Sequence, residues 1–250
     1  MFDQNILLFI GFFIIAFTYA SVGFGGGSSY LALLAFIGLG VTVIRPTALL
    51  CNIIVVSGGC YVYYKQGLLN IKKSLPLVLS SVPAAFLGGY LSLQQELFFI
   101  ILGCSLLIAS LLLWFQERFQ SNVDEIKNTS AVTSASLGAG LGLLSGMVSI
   151  GGGIFLAPIL NLLKWDQPKS IAATASLFIL VNSISGLTGY LIASNFEVNW
   201  TFTLPLLLAV FIGGQLGSRT GAIKFSQMRV RKVTAILILV AAVRILKEYY

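Results

Sequence analysis

Apolar residues fall into ten blocks separated by short polar or glycine-rich connections: 5–22, 28–39, 46–64, 74–93 and 97–115, then 131–148, 154–163, 170–193, 201–218 and 233–250. A helix needs roughly 20 apolar residues to cross a hydrocarbon core of about 30 Å, so this pattern predicts an all-α polytopic membrane protein. The last block is the weakest, because Arg244, Lys247 and Glu248 interrupt it and must reach an interface. One long polar connection, Gln116 to Ser130, carries Glu117, Arg118, Asp124, Glu125 and Lys127. It divides the chain into a first transmembrane repeat at 1–115, a linker at 116–130 and a second repeat at 131–250.

The apolar run from Ile6 to Leu39 is too long for one span, and Gly25-Gly26-Gly27 lies inside it. Each interior glycine costs a helix about 1 kcal/mol relative to alanine, so the triplet predicts a break. Irregular backbone at membrane depth is tolerated only where protein or a water-filled cavity satisfies its polar groups. A second triplet, Gly151-Gly152-Gly153, follows 126 residues later. Thr47-Ala48, Gly59 and Tyr63 then match Thr174-Ala175, Gly186 and Tyr190 at a displacement of 127. Asn70, Pro76 and Gly88 match Asn199, Pro205 and Gly217 at 129, so the halves read as an internal duplication with small loop insertions. Glycine amides leading into a new helix make an anion cradle, because a helix N-terminus carries unpaired donors and about half a positive charge. The alternative is a plain corner at each triplet.

Basic residues decide between parallel and inverted halves. If each glycine run lies within one bent span, the 15 Lys and Arg residues divide almost evenly between the two sides. If the chain turns back at each triplet, Lys65, Lys72, Lys73, Arg118, Lys127, Lys164, Lys169, Arg219, Lys224, Arg229, Arg231 and Lys232 share one side. Only Arg45, Arg244 and Lys247 face the other, the asymmetry expected of cytoplasmic loops. Five segments per half then force opposite orientations, predicting two inverted repeats, each a glycine-broken helical hairpin followed by three transmembrane helices, with a cytoplasmic linker between them. Gly138, Gly142 and Gly146, with Ala16 and Ala20 as first-half equivalents, read as faces for close helix packing.

Composition agrees with the blocks: 57% of residues are hydrophobic and 9% charged, with a mean hydropathy of +0.96. The net charge of +7 is spread through connections and forms no dense patch, which argues against nucleic acid. The N-terminus has no positive region of a signal peptide. Cys51, Cys60 and Cys104 lie within apolar segments without metal-ligand spacing. There is no histidine, and the eight carboxylates map to ends and connections. That argues against an enzyme, a metal site, a cofactor and a proton relay through a deep acid. The polar groups at membrane depth are neutral: Ser21, Ser28, Ser29, Thr47, Asn52 and Ser57, and in the second half Ser145, Ser149, Thr174, Ser176, Asn182, Ser183 and Ser185. Such donors suit an oxyanion that must bind reversibly, although Ser and Thr also bond to their own helix. Arg45 is expected at the outer mouth, either attracting anions or serving as a plain interfacial arginine, with Pro46 in the first turn of the next helix.

The paired triplets in Gly23-Phe24-Gly25-Gly26-Gly27 and Ser149-Ile150-Gly151-Gly152-Gly153, with Arg45-Pro46-Thr47-Ala48 and Ala172-Ala173-Thr174-Ala175-Ser176, give the chain its family character. It resembles the sulfite exporter TauE/SafE family of membrane permeases along essentially its whole length. The resemblance implies a multi-pass protein of a bacterial or archaeal plasma membrane carrying small sulfur-containing anions such as sulfite, thiosulfate or sulfonates. The expected substrate-binding residues are Gly25, Gly26, Gly27, Ser28, Thr47 and Asn52, facing Gly151, Gly152, Gly153, Thr174 and Asn182 near the membrane midplane. Ser28-Ser29 stand where the second half has Ile154-Phe155, so the two halves of such a site differ chemically. A channel or flippase-like protein for another small solute is the alternative. The lipid bilayer is the one expected macromolecular partner, and self-association into a homo-oligomer is left open.

Overall fold

Each apolar block becomes one helix in a computed structural model, which describes residues 2–21, 23–91, 93–119, 126–127, 129–194, 198–224 and 227–249. The elements are α1 (Phe2–Ala20), α2 (Gly27–Phe36), α3 (Val41–Lys65), α4 (Ile71–Tyr90) and α5 (Gln95–Phe119). They are followed by α6 (Ala131–Val148), α7 (Gly153–Leu162), α8 (Pro168–Ala193), α9 (Trp200–Lys224) and α10 (Gln227–Tyr249). Residues 120–125 and 128 of the expected 116–130 linker lie outside the described residues, and α5 continues to Phe119.

Among the described residues α3, α5, α6, α8 and α9 are long and apolar enough to cross a membrane. With 10 residues each, α2 and α7 are about 15 Å long, half a hydrocarbon core. The bundle turns apolar side chains outward, with Leu7, Leu79, Ile108, Leu208, Phe211 and Val240 exposed. In water such a surface would be a liability, and in lipid it is the solvated face. The protein is a multi-pass membrane protein.

Local chemistry sets several boundaries. Asn70 caps α4 by accepting from Lys73 N at 3.2 Å, and Ser130 caps α6 by accepting from Thr133 N at 3.1 Å. Helix α3 starts at Val41 on an extended Gly40, earlier than the block at 46–64 suggests. Pro46 therefore sits in the second turn, not the first, and its ring removes one interior helix bond.

Both short helices fold back on their predecessors. Phe12 of α1 stacks on Tyr30 of α2 at 4.8 Å, and Leu33 comes back beside Gly11. At the end of α7 the carbonyl of Lys164 accepts from Lys127 N, before the start of α6. Helix pairings recur between the halves: α4 packs on α6 as α9 packs on α1, α4 on α8 as α9 on α3, and α5 on α7 as α10 on α2. The counterparts α3 and α8 pair with each other and run antiparallel, since Gly59 meets Ser176 while Asn52 lies level with Ile179 and Ser183. Antiparallel pairing also joins α5 to α10, with Gly103 beside Leu246 and Phe99 stacked on Tyr249 at 4.1 Å.

Two close helix pairs form the frame. A methyl group at Gly138, Gly142 or Gly146 would strike the backbone oxygens of Leu77, Ser81 and Ala85 on α4. On the other side Gly213 and Gly217 of α9 meet the backbone oxygens of Phe13 and Phe17 on α1, and Ala16 lies against Gly213. The small residues are packing faces, as the four-residue spacing predicts. Of the carboxylates with described side chains, Glu96, Asp166 and Glu248 stand at helix ends or in a connection, and Asp166 pairs with Lys73 at 3.1 Å.

Candidate functional site

The two glycine breaks have matching backbones. Gly23 and its register partner Ser149 are both left-handed, with φ of 84° and 59°, as are Gly26 and Gly152 at 86° and 80°. Gly26 is the N-cap of α2 and Gly152 that of α7, and neither supplies a side-chain cap. The first helical bonds run from Ser29 N and Tyr30 N to Gly26 O and from Phe155 N and Leu156 N to Gly152 O. The amides of Gly27 and Ser28, and of Gly153 and Ile154, therefore come before the first amide that donates within the helix, where a helix end has donors to offer.

Asn52 of α3 stands between the breaks. Its Nδ2 donates to Ile150 O at 3.0 Å, fixing the loop before the second triplet. Its side chain also fills the space over the first triplet, where a methyl group on Gly25 would come within 2.5 Å of Oδ1 and one on Gly27 would strike the amide. A methyl on Gly27 would also lie 2.8 Å from Ile150 O, so the two breaks touch. Asn52 Oδ1 has no hydrogen-bond partner although the residue is wholly buried, and the same is true of Ser183 Oγ and both amide atoms of Asn182. Ser183 adjoins Gly151, whose notional methyl would sit 3.0 Å from its Oγ. Unpaired buried polar atoms are costly in an apolar interior; Asn52 Oδ1 borders Gly25 and Gly27, and Ser183 Oγ borders Gly151.

Other expected site residues point elsewhere. Thr174 Oγ1 bonds Ser74 Oγ of α4 at 3.0 Å, and Ser28 Oγ faces Tyr19 OH at 3.4 Å, the same hydroxyl that Ser29 engages at 2.7 Å. Thr47 is buried on α3. Gly26 faces Ile15 and Tyr30, and Gly152 faces Phe178 and Ser145, so close packing accounts for both glycines in this conformation. A groove of about 430 Å³ between α1, α2 and α10 is lined largely by apolar side chains such as Ile15, Leu33, Phe36 and Val240. It suits lipid chains rather than an anion.

Arg45 departs most from expectation. It is 2% exposed, enclosed by the ends of α4, α6 and α8 and the start of α5 rather than free at an interface. Its Nε donates to Ser149 Oγ at 3.0 Å, and Nη2 donates to Gly146 O at 3.1 Å and Gly89 O at 3.5 Å. The guanidinium also lies 4.5 Å from the ring centre of Tyr190 and 5.5 Å from that of Phe98. In a run where nearly every position is apolar, the pattern does not reveal which way a helix is rotated, so the depth of Arg45 was hidden.

Comparison with known proteins places the chain. The family described as Sulfite exporter TauE/SafE matches residues 7–245. The chain is 32% identical over 246 residues to probable membrane transporter protein y4hK of Sinorhizobium fredii, covering 97% of this chain and 98% of that one. It is 26% identical over 223 residues to probable membrane transporter protein YunE of Bacillus subtilis, covering 79% and 81%. A third relative, probable membrane transporter protein MJ0441 of Methanocaldococcus jannaschii, is 27% identical over 240 residues, covering 88% and 86%. No solved structure matches the chain significantly. With a family match along nearly its whole length, a multi-pass helical architecture and no catalytic constellation among the described residues, the chain belongs to the sulfite exporter TauE/SafE family of membrane transporters.

Proposed function

We propose that the protein is a secondary permease for small sulfur-containing oxyanions, such as sulfite, thiosulfate or sulfonates, which bind where the two glycine breaks meet near the membrane midplane. The observation that carries this reading is the meeting of two uncapped helix N-termini, at Gly26-Gly27 and Gly152-Gly153, around Asn52. Each end offers free amides and about half a positive charge, enough together to compensate a mono- or dianion. The space between the breaks is filled by side chains in this conformation, so binding requires Asn52 or Ile179 to move aside. The antiparallel pairing of counterpart helices supports inverted repeats at 1–115 and 131–250 joined by a cytoplasmic linker, the architecture of many alternating-access carriers. The setting is a plasma membrane.

The experiment is a flux panel in proteoliposomes with labelled sulfite, thiosulfate, an alkyl sulfonate and chloride. Saturable transport of the sulfur oxyanions over chloride is expected. Conductance that follows the ion gradient without saturating, or transport of none of them, overturns the reading in favour of a channel or of another solute.

A further inference from the structure

We infer that Arg45 is the anion's cationic partner: its guanidinium holds neutral acceptors in this conformation and exchanges them for an oxyanion that reaches the second glycine break. This deepens the function proposed above and rests on it. A buried cation in a membrane protein is expensive and normally has a partner of opposite charge. No ion pair to Arg45 exists among the described residues, where the one salt bridge joins Lys73 to Asp166. Its acceptors are a hydroxyl and two helix-end carbonyls, all neutral. A guanidinium bond to an oxyanion is shorter and roughly twice as strong as one between neutral groups. The contact to Gly89 O, at 3.5 Å, is beyond good hydrogen-bond length and is the first to be exchanged.

Position supports the same conclusion. Arg45 and Asn52 lie seven residues apart on α3, one above the other on one helix face. They meet consecutive residues of the second break, Arg45 at Ser149 and Asn52 at Ile150. Ser149 is left-handed, with φ of 59°, a conformation that strains an ordinary residue. The first repeat places glycine at the matching position, Gly23, and that break has no arginine: the register partner of Arg45 is Ala172, which adjoins Gly23. The strained serine thus accompanies the arginine it holds. With one such cation in the pair of breaks, the anion is drawn to the second, and one dianion per chain is the best-matched cargo.

The test measures binding of sodium sulfite and thiosulfate, against sodium chloride, by anion-dependent thermal shift and titration on purified wild type, Arg45→Gln, Arg45→Lys and Ser149→Gly. Arg45→Gln is expected to weaken binding of both oxyanions about tenfold to a hundredfold, the range for loss of a bond to a charged group. Arg45→Lys, which keeps the charge without the planar fork, should fall between, and supplies the comparison if the Gln protein is not recovered. Ser149→Gly removes the anchor and leaves the charge, so it should keep or tighten affinity even where it lowers the unfolding temperature. A merely structural arginine would give the opposite result, with Ser149→Gly and the Arg45 variants losing stability together and none changing affinity. Wild-type affinity in Arg45→Gln or Arg45→Lys therefore overturns this inference alone. Absence of oxyanion binding by the wild type overturns the proposed function as well.

Discussion

At Gly26 and Gly38 the backbone is left-handed, with φ of 86° and 76°, yet a methyl group would meet different surroundings. At Gly38 it enters open space, so Gly38→Ala should cost only the conformational strain, about 1–2 kcal/mol. At Gly26 it comes within 3.0 Å of both Ile15 Cγ2 and the Tyr30 ring, and the end of α2 must shift. Gly26→Ala should lower the unfolding temperature further than Gly38→Ala and abolish oxyanion uptake, which Gly38→Ala retains. Equal uptake by the two variants would reduce the first triplet to a corner. Asn52 gives a second residue-level expectation. Asn52→Asp keeps the shape but replaces the donor to Ile150 O with an acceptor and places negative charge between the breaks. Stability should fall by about 1–3 kcal/mol from the unpaired carbonyl, and uptake should vanish in protein that still reaches the membrane. Transport at the wild-type rate in Asn52→Asp would remove that residue from the site.

The helices show why spacing of small residues is informative where apolarity is not. Gly140 and Gly142 are two residues apart on α6, and one faces open space while the other touches α4. A methyl at Gly142 would lie 2.5 Å from Ser81 O and 2.8 Å from its Cα, so Gly142→Ala must push two backbones apart, at about 1–3 kcal/mol for overpacking. Gly140→Ala meets nothing within 4 Å and gains about 1 kcal/mol of helix propensity. Thermal unfolding in detergent should therefore move in opposite directions for the two, and a shift of the same sign would mean that α6 is rotated from the position described. The four-residue spacing of Gly138, Gly142 and Gly146 made this face legible in the sequence, as glycine triplets made the breaks and polar gaps made the ten helices legible. What stayed hidden depends on rotation and depth inside almost uniformly apolar runs. Thr174 gave no sign that its hydroxyl would turn to Ser74, nor Arg45 that its charge would be buried on Ser149. The start of α3 at Val41 was missed because Arg45 and Pro46 look like a boundary, whereas the bundle shelters both within the helix.

Across the whole molecule, the two ends of the bundle differ in a way that the charge pattern explains. At one end Lys73 donates to Trp165 O and pairs with Asp166, while Lys127 N donates to Lys164 O, so the basic connections of both halves meet. Arg244 lies 3.4 Å from the ring centre of Phe36 at the other end, where Tyr249 stacks on Phe99. Arg45, although buried, lies against Phe98 at that same end, which therefore holds Arg45, Arg244 and Lys247, the three basic residues assigned to it, an asymmetry of the kind that orients a membrane protein. Thr42, near the start of α3, and Gln66, just past its end, are both exposed and mark the two ends. In a background with Cys51, Cys60 and Cys104 replaced, an impermeant maleimide applied to intact cells should modify Thr42→Cys and spare Gln66→Cys. Breaking the cells open should expose the second site. The reverse pattern, or equal labelling of both before lysis, would overturn the assignment of the lysine-rich end to the cytoplasm. The antiparallel pairing of α3 and α8 would survive a reversed result, but the direction in which Arg45 meets an arriving anion would be exchanged.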